Sequence, residues 1–505
     1  MTGGVPGSDL TEGFVLHPRF GFWLFTSAAL GVAVVGIGGG AARAVFGLGV
    51  ALGLVWVAWQ LRALGGPRPE DTARPDLPPR LPRRAVVAGL AALLLGLAWA
   101  VGGVGFGGWT TLLFGLAAVA EGVQLSLEAE PVPSDLPLPS TRSARLTAAI
   151  AADEAIRFSW DLGGRITPSG GPGPLADRLR LAAERARAEG WLTDPAAAHP
   201  RPPALEKPQL DRTTLRGLGP AELLTFESEF EPFDPEVRTG YLGVAPNREA
   251  RVWLFRSPEP RPTLVCVHGY GGGRPAFDAR VFEVARLRER LGLDVALFVL
   301  PLHGARALGR RSGAGFLDRD PLWTNAAMGQ AVWDLRRLAG WLRAEGAPVV
   351  GATGMSLGGY TTALWASLDD RLACAVPVIP AVRLSRIVWN GFDPARARAL
   401  ERAGAGEPLL DDAWVTHAPL RHRPAVPADR ALVVGGVADR ICPPSDVRDL
   451  WEHWQHPALH WFPGTHVGHV GRAGTRAALE AHLRRTLRAP SGGETAPLSR
   501  FRGSS

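Results

Sequence analysis

Lysine is almost absent: of 55 basic residues in this 505-residue chain, Lys207 is the single lysine and the rest are arginine. Cysteine is scarce too. Cys266, Cys374 and Cys442 are an odd number, too few for a disulfide scaffold. No Lys/Arg run interleaved with aromatics is present, so the formal charge of +7 names no nucleic-acid partner. No glycine period accompanies the 62 Gly and 44 Pro, which excludes collagen-like order. Apolar residues are plentiful, at 46%, which excludes a wholly disordered chain. The bias toward Arg, Ala, Gly and Pro is that of a GC-rich genome rather than of a selected surface. At roughly 150 residues per domain, the length suggests about three units.

Charge is missing altogether from three stretches: 20–42, 44–61 and 85–120. A spanning helix needs about 20 predominantly apolar residues, so the first fits one crossing. The third is too long for one. Gly102, Gly103, Gly105, Gly107 and Gly108 give it a place to turn, and Gly38, Gly39 and Gly40 do the same before Arg43. The expectation is two helical hairpins, about four transmembrane α-helices, with Glu121 cutting the last one short. Buried core helices of a soluble protein are the competing reading, but such helices seldom lack charge over this length. A signal peptide fits poorly, because the run is too long and further apolar stretches follow. The 62–84 connection carries Arg62, Arg68, Arg74, Arg80, Arg83 and Arg84, whereas the hairpin tips carry only Arg43. Positively charged loops stay in the cytoplasm. The expected localisation is therefore a multi-pass protein of a bacterial-type plasma membrane, with both termini and everything after residue 125 cytoplasmic.

The expected divisions are an N-terminal tail (1–19), a transmembrane region (20–127), a linker and helical region (128–224), a C-terminal domain (225–487) and a disordered tail (488–505). Residues 130–139 are a Pro-rich linker. Helical stretches at 148–158 and 175–189 carry no visible chemistry.

From residue 225 strand and helix signals alternate, as in a parallel sheet covered on both faces. Apolar runs at 263–267 and 295–300 read as buried strands. At one strand-to-helix junction stands Gly354-Met355-Ser356-Leu357-Gly358-Gly359, a G-x-S-x-G pattern in the context that gives it meaning. Upstream, His268-Gly269-Tyr270-Gly271-Gly272-Gly273 follows an apolar strand. Downstream, one strand ends in a loop with Asp439, and another ends in a loop with His466. Ser, Asp and His thus occur in that order, each beyond a strand's carboxyl end.

On these motifs residues 225–487 resemble the α/β-hydrolase superfamily, on the serine esterase/lipase side. The resemblance implies an α/β fold: a mostly parallel, doubly wound sheet of about eight strands. It implies Ser356 as nucleophile, His466 as general base and Asp439 as the acid that orients it. Gly354 and Gly358 would flank the nucleophile elbow. His268 and Gly269 would shape the oxyanion loop, and the backbone N–H groups of Tyr270 and Leu357 would hold the oxyanion. The implied chemistry is cleavage of a carboxylic ester, lipid or acyl ester included, through an acyl-enzyme. It requires no metal and no organic cofactor. Thioesterase, peptidase and acyltransferase chemistry share the triad, and a catalytically silent binding or signalling module shares the fold. The partners expected are a small-molecule or lipid ester and the bilayer.

Alternatives remain open at several positions. His469 competes with His466, and the H-x-x-H spacing also suggests a metal, although no strong acid or Cys ligand is nearby in sequence. Asp411 and Asp412 compete with Asp439. His303 reads as a structural residue of the pocket rim. Residues 380–429 are longer than a connection needs and read as a cap, with Ile387, Val388, Trp389, Phe392 and Trp414 facing an acyl chain. An ordinary pair of connecting helices is the alternative.

Overall fold

The structure is a computed structural model. It describes residues 41–62, 80–101, 106–129, 143–164, 166–215, 217–468 and 472–488, with residues 26, 29, 32, 33 and 77 besides. The Pro-rich linker, the tails, most of the first apolar stretch and His469 lie outside the described residues. The chain divides into two compact units, the first ending at Phe158 and the second beginning, apart from a short linker piece, at Ser159.

In the first unit, α1 (Ala41–Arg62), α2 (Leu81–Val101) and α3 (Phe106–Ala129) follow one another. Two helical segments among the described residues, Leu81–Val101 and Gly108–Ala129, are long and apolar enough to cross a membrane, not about four; Gly47–Trp59 within α1 is a shorter apolar stretch. Glu121 does not end the last helix, which runs on to Ala129 with Glu121 buried. Glycines bring α2 and α3 into backbone contact. They recur every seven residues, at Gly89 and Gly96 on one helix and at Gly108, Gly115 and Gly122 on the other. A Cβ on Gly96 would lie 2.3 Å from the Leu112 nitrogen, and one on Gly115 2.4 Å from the Leu93 nitrogen. No side chain fits there, which is how small residues let apolar helices approach. Beyond the hairpin, Ser126 donates a hydrogen bond to Glu154 of α4 (Ala144–Gly163).

The second unit holds one nine-stranded sheet, in the order β1 (Gln209–Leu215), β2 (Gly219–Glu227), β3 (Glu249–Phe255), β5 (Asp294–Phe298), β4 (Thr263–Val267), β6 (Val350–Met355), β7 (Ala375–Val378), β8 (Leu432–Gly436) and β9 (Ala458–Phe462). The pairs from β4 and β5 through to β9 are parallel, and the first three strands join antiparallel. This is an α/β-hydrolase-like fold. The strand beyond the expected eight is β1, whose residues are exposed along nearly its whole length. An edge strand without a buried face leaves no apolar alternation to read. The next strand begins at Gly219 rather than Thr225, because its first residues pair with β1.

Central strands are buried on both faces, covered by α6 (Val284–Leu291), α7 (Pro321–Ala344) and α8 (Leu357–Leu368) among others. Cys266 and Cys374 are buried in this packing. Residues 166–224 belong to this unit. The 380–429 segment holds α9 (Leu384–Trp389), α10 (Pro394–Arg402) and α11 (Glu407–Ala413); α5 (Pro172–Ala188) packs on α10 and α11, and α9 packs on α11. Arg396 donates to Pro168 O at 2.6 Å and to Gly170 O at 2.8 Å. On its other side the segment is tied by Arg386 to Asp446 (3.0 Å) and by Arg383 to Asp449 (2.6 Å) of α12 (Pro444–His453). Its large apolar residues mostly turn inward. Val388, Phe392 and Trp414 are buried, and Trp414 donates Nε1–H to Pro321 O at 3.1 Å. The expectation that all five face an acyl chain therefore does not hold; Ile387 and Trp389 are half-buried.

Candidate active site

Ser356 stands between β6 and α8 at φ 57° and ψ −117°. A β-branched or bulky residue avoids that region, and serine tolerates it only where the surroundings enforce it. They do so here. The Ser356 N–H donates to Val378 O at 3.0 Å, and Ser356 O accepts from Tyr360 and Ala381. Gly354 and Gly358 make the turn sterically possible. A Cβ on Gly358 would lie 2.0 Å from Val267 O, and one on Gly354 2.2 Å from Gly358 O. Helix α8 starts at Leu357, so its first N–H groups point out of the turn without intrahelical partners.

His466 lies in the loop after β9. Its Nε2 accepts from Ser356 Oγ at 2.9 Å, and its Nδ1–H donates to Asp439 Oδ2 at 2.8 Å. Asp439 follows β8 and is fully buried. Its Oδ1 accepts from the backbone N–H groups of Ile441 (2.8 Å) and Cys442 (2.7 Å), which leaves Oδ2 to His466. Burial opposes charge on the imidazole, but Asp439 and Cys442 together outweigh it and hold His466 well above its ordinary value. Asp411 and Asp412 lie elsewhere: Asp411 accepts from Ser385 at 2.7 Å.

The loop after β4 lies against the serine. A Cβ on Gly269 would be 3.3 Å from Ser356 Cβ. His268 is a pin beneath this loop. Its Nδ1–H donates to Gly269 O at 2.8 Å, and its Nε2 accepts from the Leu300 N–H at 3.1 Å. Burial lowers its pKa to about 4, so it is neutral. His303 is not at a rim. It is buried beneath the loop, its ring 5.2 Å from that of His268 and 5.6 Å from that of Tyr270. Arg311 donates to the Tyr270 hydroxyl at 3.1 Å and pairs with Asp318. Nothing in the sequence singles out Arg311; Cys442 stands near Asp439 in sequence, and the structure adds His466 to that pair. Cys442 stands three residues after the acid, and only the turn between them reveals the contact.

No family profile matches the chain. Two curated relatives do. Uncharacterized protein MT2702 of Mycobacterium tuberculosis (strain CDC 1551 / Oshkosh) is 35% identical over 302 residues, 58% of this chain and 71% of the relative. Uncharacterized protein Rv2627c of Mycobacterium tuberculosis (strain ATCC 25618 / H37Rv) is 35% identical over 301 residues, with the same coverage. Among solved structures, an acetyl xylan esterase from Paenibacillus sp. R4 is 16% identical with a TM-score of 0.40, covering 65% of this chain and 99% of its own. Acetyl xylan esterase 1 from Thermoanaerobacterium sp. JW/SL YS485 is 15% identical with a TM-score of 0.40, covering 63% and 96%. At that distance no substrate follows from the likeness.

Proposed function

We propose that this chain, which belongs to the same protein family as MT2702 and Rv2627c of Mycobacterium tuberculosis, is a membrane-anchored serine hydrolase that cleaves carboxylic esters. The observation that carries this reading is the continuous relay from Ser356 through His466 to Asp439, ending on a serine held in a strained turn. In the mechanism His466 takes the Ser356 proton as the hydroxyl oxygen attacks the ester carbonyl. Asp439 keeps the Nδ1 proton in place and stabilises the imidazolium. The N–H groups of Tyr270 and Leu357 receive the oxyanion, with the α8 dipole behind the second of them. His466 then protonates the leaving alcohol, and the same base activates a water that releases the acyl group.

The membrane anchor is supported by apolar surface that water would not tolerate. Leu52, Trp59, Leu94, Val101, Trp109 and Leu113 of α1–α3 are each at least 60% exposed. Patches of this kind mark a partner or a lipid. The orientation, with the second unit in the cytoplasm, is read from the arginines of the 62–84 connection. A reporter fused at the C-terminus is expected to be active in the cytoplasm; activity confined to the periplasmic side overturns the orientation.

The chemistry is tested with a fluorophosphonate probe on the full chain. Labelling is expected at Ser356 and is expected to vanish in Ser356→Ala. Absence of labelling on folded protein sinks the reading and leaves a fold used for binding. A panel of acyl esters, thioesters and aminoacyl amides then sorts the substrate class.

A further inference from the structure

We propose that Asp439, Cys442 and His466 form a latent binding site for a thiophilic divalent cation, zinc above all, whose occupancy shuts Ser356 off. The inference rests on the serine hydrolase reading for its consequence, but not for the binding itself.

One carboxylate oxygen, one thiol sulfur and one imidazole nitrogen all lie within 4.8 Å of one another. Among the described residues this is the one such three-donor group. Two of its members sit on one rigid turn. The Cys442 backbone N–H is bound to Asp439 Oδ1, so thiol and carboxylate cannot drift apart independently. The third, His466, is the only one of the three that is more than marginally exposed (10%, against 0% for Asp439 and 1% for Cys442). A cation therefore arrives on the imidazole side, where a water can take the fourth position.

The donor set selects the metal. Sulfur, imidazole and carboxylate together suit zinc, whereas magnesium and calcium want oxygen alone. Zinc bonds of about 2.0–2.3 Å in a tetrahedron place neighbouring donors roughly 3.3–3.6 Å apart. Asp439 Oδ2 and His466 Nδ1 stand at 2.8 Å. They must part by about half an ångström, and the sulfur must close in, both within reach of small side-chain rotations.

The protons account for the inhibition. In the metal-free site Nδ1 and the thiol each carry one proton, and Nε2 offers its lone pair to Ser356. With zinc on Nδ1 and on the thiolate, the neutral imidazole carries its proton on Nε2, and one proton leaves to solvent. Nε2–H then faces Ser356 Oγ and can no longer accept a proton from it. The base is lost although every residue remains in place. No oxidant or reductant is involved.

The test uses the full chain stripped with EDTA and titrated with buffered free zinc. Fluorophosphonate labelling of Ser356 is expected to slow at least about tenfold, to recover with EDTA and to ignore magnesium and calcium. Cys442→Ala, scored against its own zinc-free rate, is expected to need at least about tenfold more zinc, and Cys442→Ser provides a second variant should the alanine fold poorly. Cobalt added to Ser356→Ala protein supplies a readout without activity: a thiolate-to-cobalt charge-transfer band, lost when Cys442 is also replaced. Equal zinc sensitivity with and without Cys442, or no thiolate band, overturns the proposal. If Ser356 never labels even without metal, the hydrolase reading falls, while the cobalt band still decides the site.

Discussion

Asp439 governs His466 in two ways, by direction and by charge. It accepts the Nδ1 proton at 2.8 Å, and its carboxylate raises the imidazole's proton affinity against the opposing effect of burial. A base must be neutral to act. Labelling or turnover should therefore rise with pH through a midpoint above 6.5, the ordinary histidine value. In Asp439→Asn the raising charge is gone. The midpoint is expected to move down, and the plateau rate to fall by about a thousandfold or more, since the amide no longer fixes the tautomer. An unchanged midpoint would mean that His466 is not the titrating base. The glycines of the elbow make a second prediction. Gly358→Ala puts a methyl 2.0 Å from Val267 O, so the turn must open. Labelling is expected to disappear while the sheet persists by circular dichroism; wild-type labelling would show that the turn has slack the distances deny. At this scale the sequence was informative because each of Ser356, Asp439 and His466 follows an apolar strand. Cys442 was not legible, because its closeness to His466 is made by two loops from different strands.

The hairpin of α2 and α3 is an element that glycine alone permits. Gly96→Leu would drive its side chain into the backbone at Leu112, where a Cβ already lies 2.3 Å from nitrogen. Gly49 of α1 has nothing within 4 Å of such a Cβ. The expected outcome is a loss of about 3 kcal/mol or more for Gly96→Leu and no loss for Gly49→Ala, read by thermal unfolding in detergent. Equal melting of the two variants would mean that the helices do not approach as described. The turn of this hairpin was readable in advance from its glycines. The heptad spacing went unread, because a Gly-rich stretch looks the same whether glycines face a neighbour or solvent. Strands divide the same way. β4 matches its apolar run at 263–267, and β5, at 294–298, overlaps the run at 295–300. β1 carries no such signal, and the bracing of α9–α11 by 166–188 runs through arginines onto backbone carbonyls, which leave no pattern in sequence.

The second unit as a whole carries an acid sensitivity that no single residue announces. His199, His268, His303, His417 and His422 are all held neutral by burial. His199 and His268 lie at about 4, His303 and His422 at about 3, and His417 well below the ordinary value. Two of them join distant parts of the chain: His199 donates to Thr416 O, where His422 donates locally as well, and His417 accepts from Tyr360 on the helix that begins after Ser356. Each lowered value means that the unfolded chain takes up a proton near pH 6.5 that the folded chain refuses until about pH 4 or below. Stability is therefore intact above pH 6.5 and drains as pH falls through that window, by about 1.4 kcal/mol per pH unit for each group. Opposing terms exist. Asp234 and Asp278, both raised by burial to about 6, are protonated in the folded state first and add stability as pH falls below that value. His466, raised, gains nothing further below pH 6.5, where both states are already protonated. His460 and His482 are lowered in the same way, and Asp294, Asp334 and Glu407 are raised by burial as Asp234 is, so seven groups set against five leave a net loss between pH 6.5 and pH 5. Tryptophan-monitored melting of the full chain is expected to show a midpoint about 5–10 °C lower at pH 5 than at pH 7.5. His422→Gln, which removes one of the refusing groups, should shrink that difference. A midpoint that stays level or rises on acidification would place the histidines in contact with water and undo the buried network that ties residues 195–199, 414–422 and 360 together.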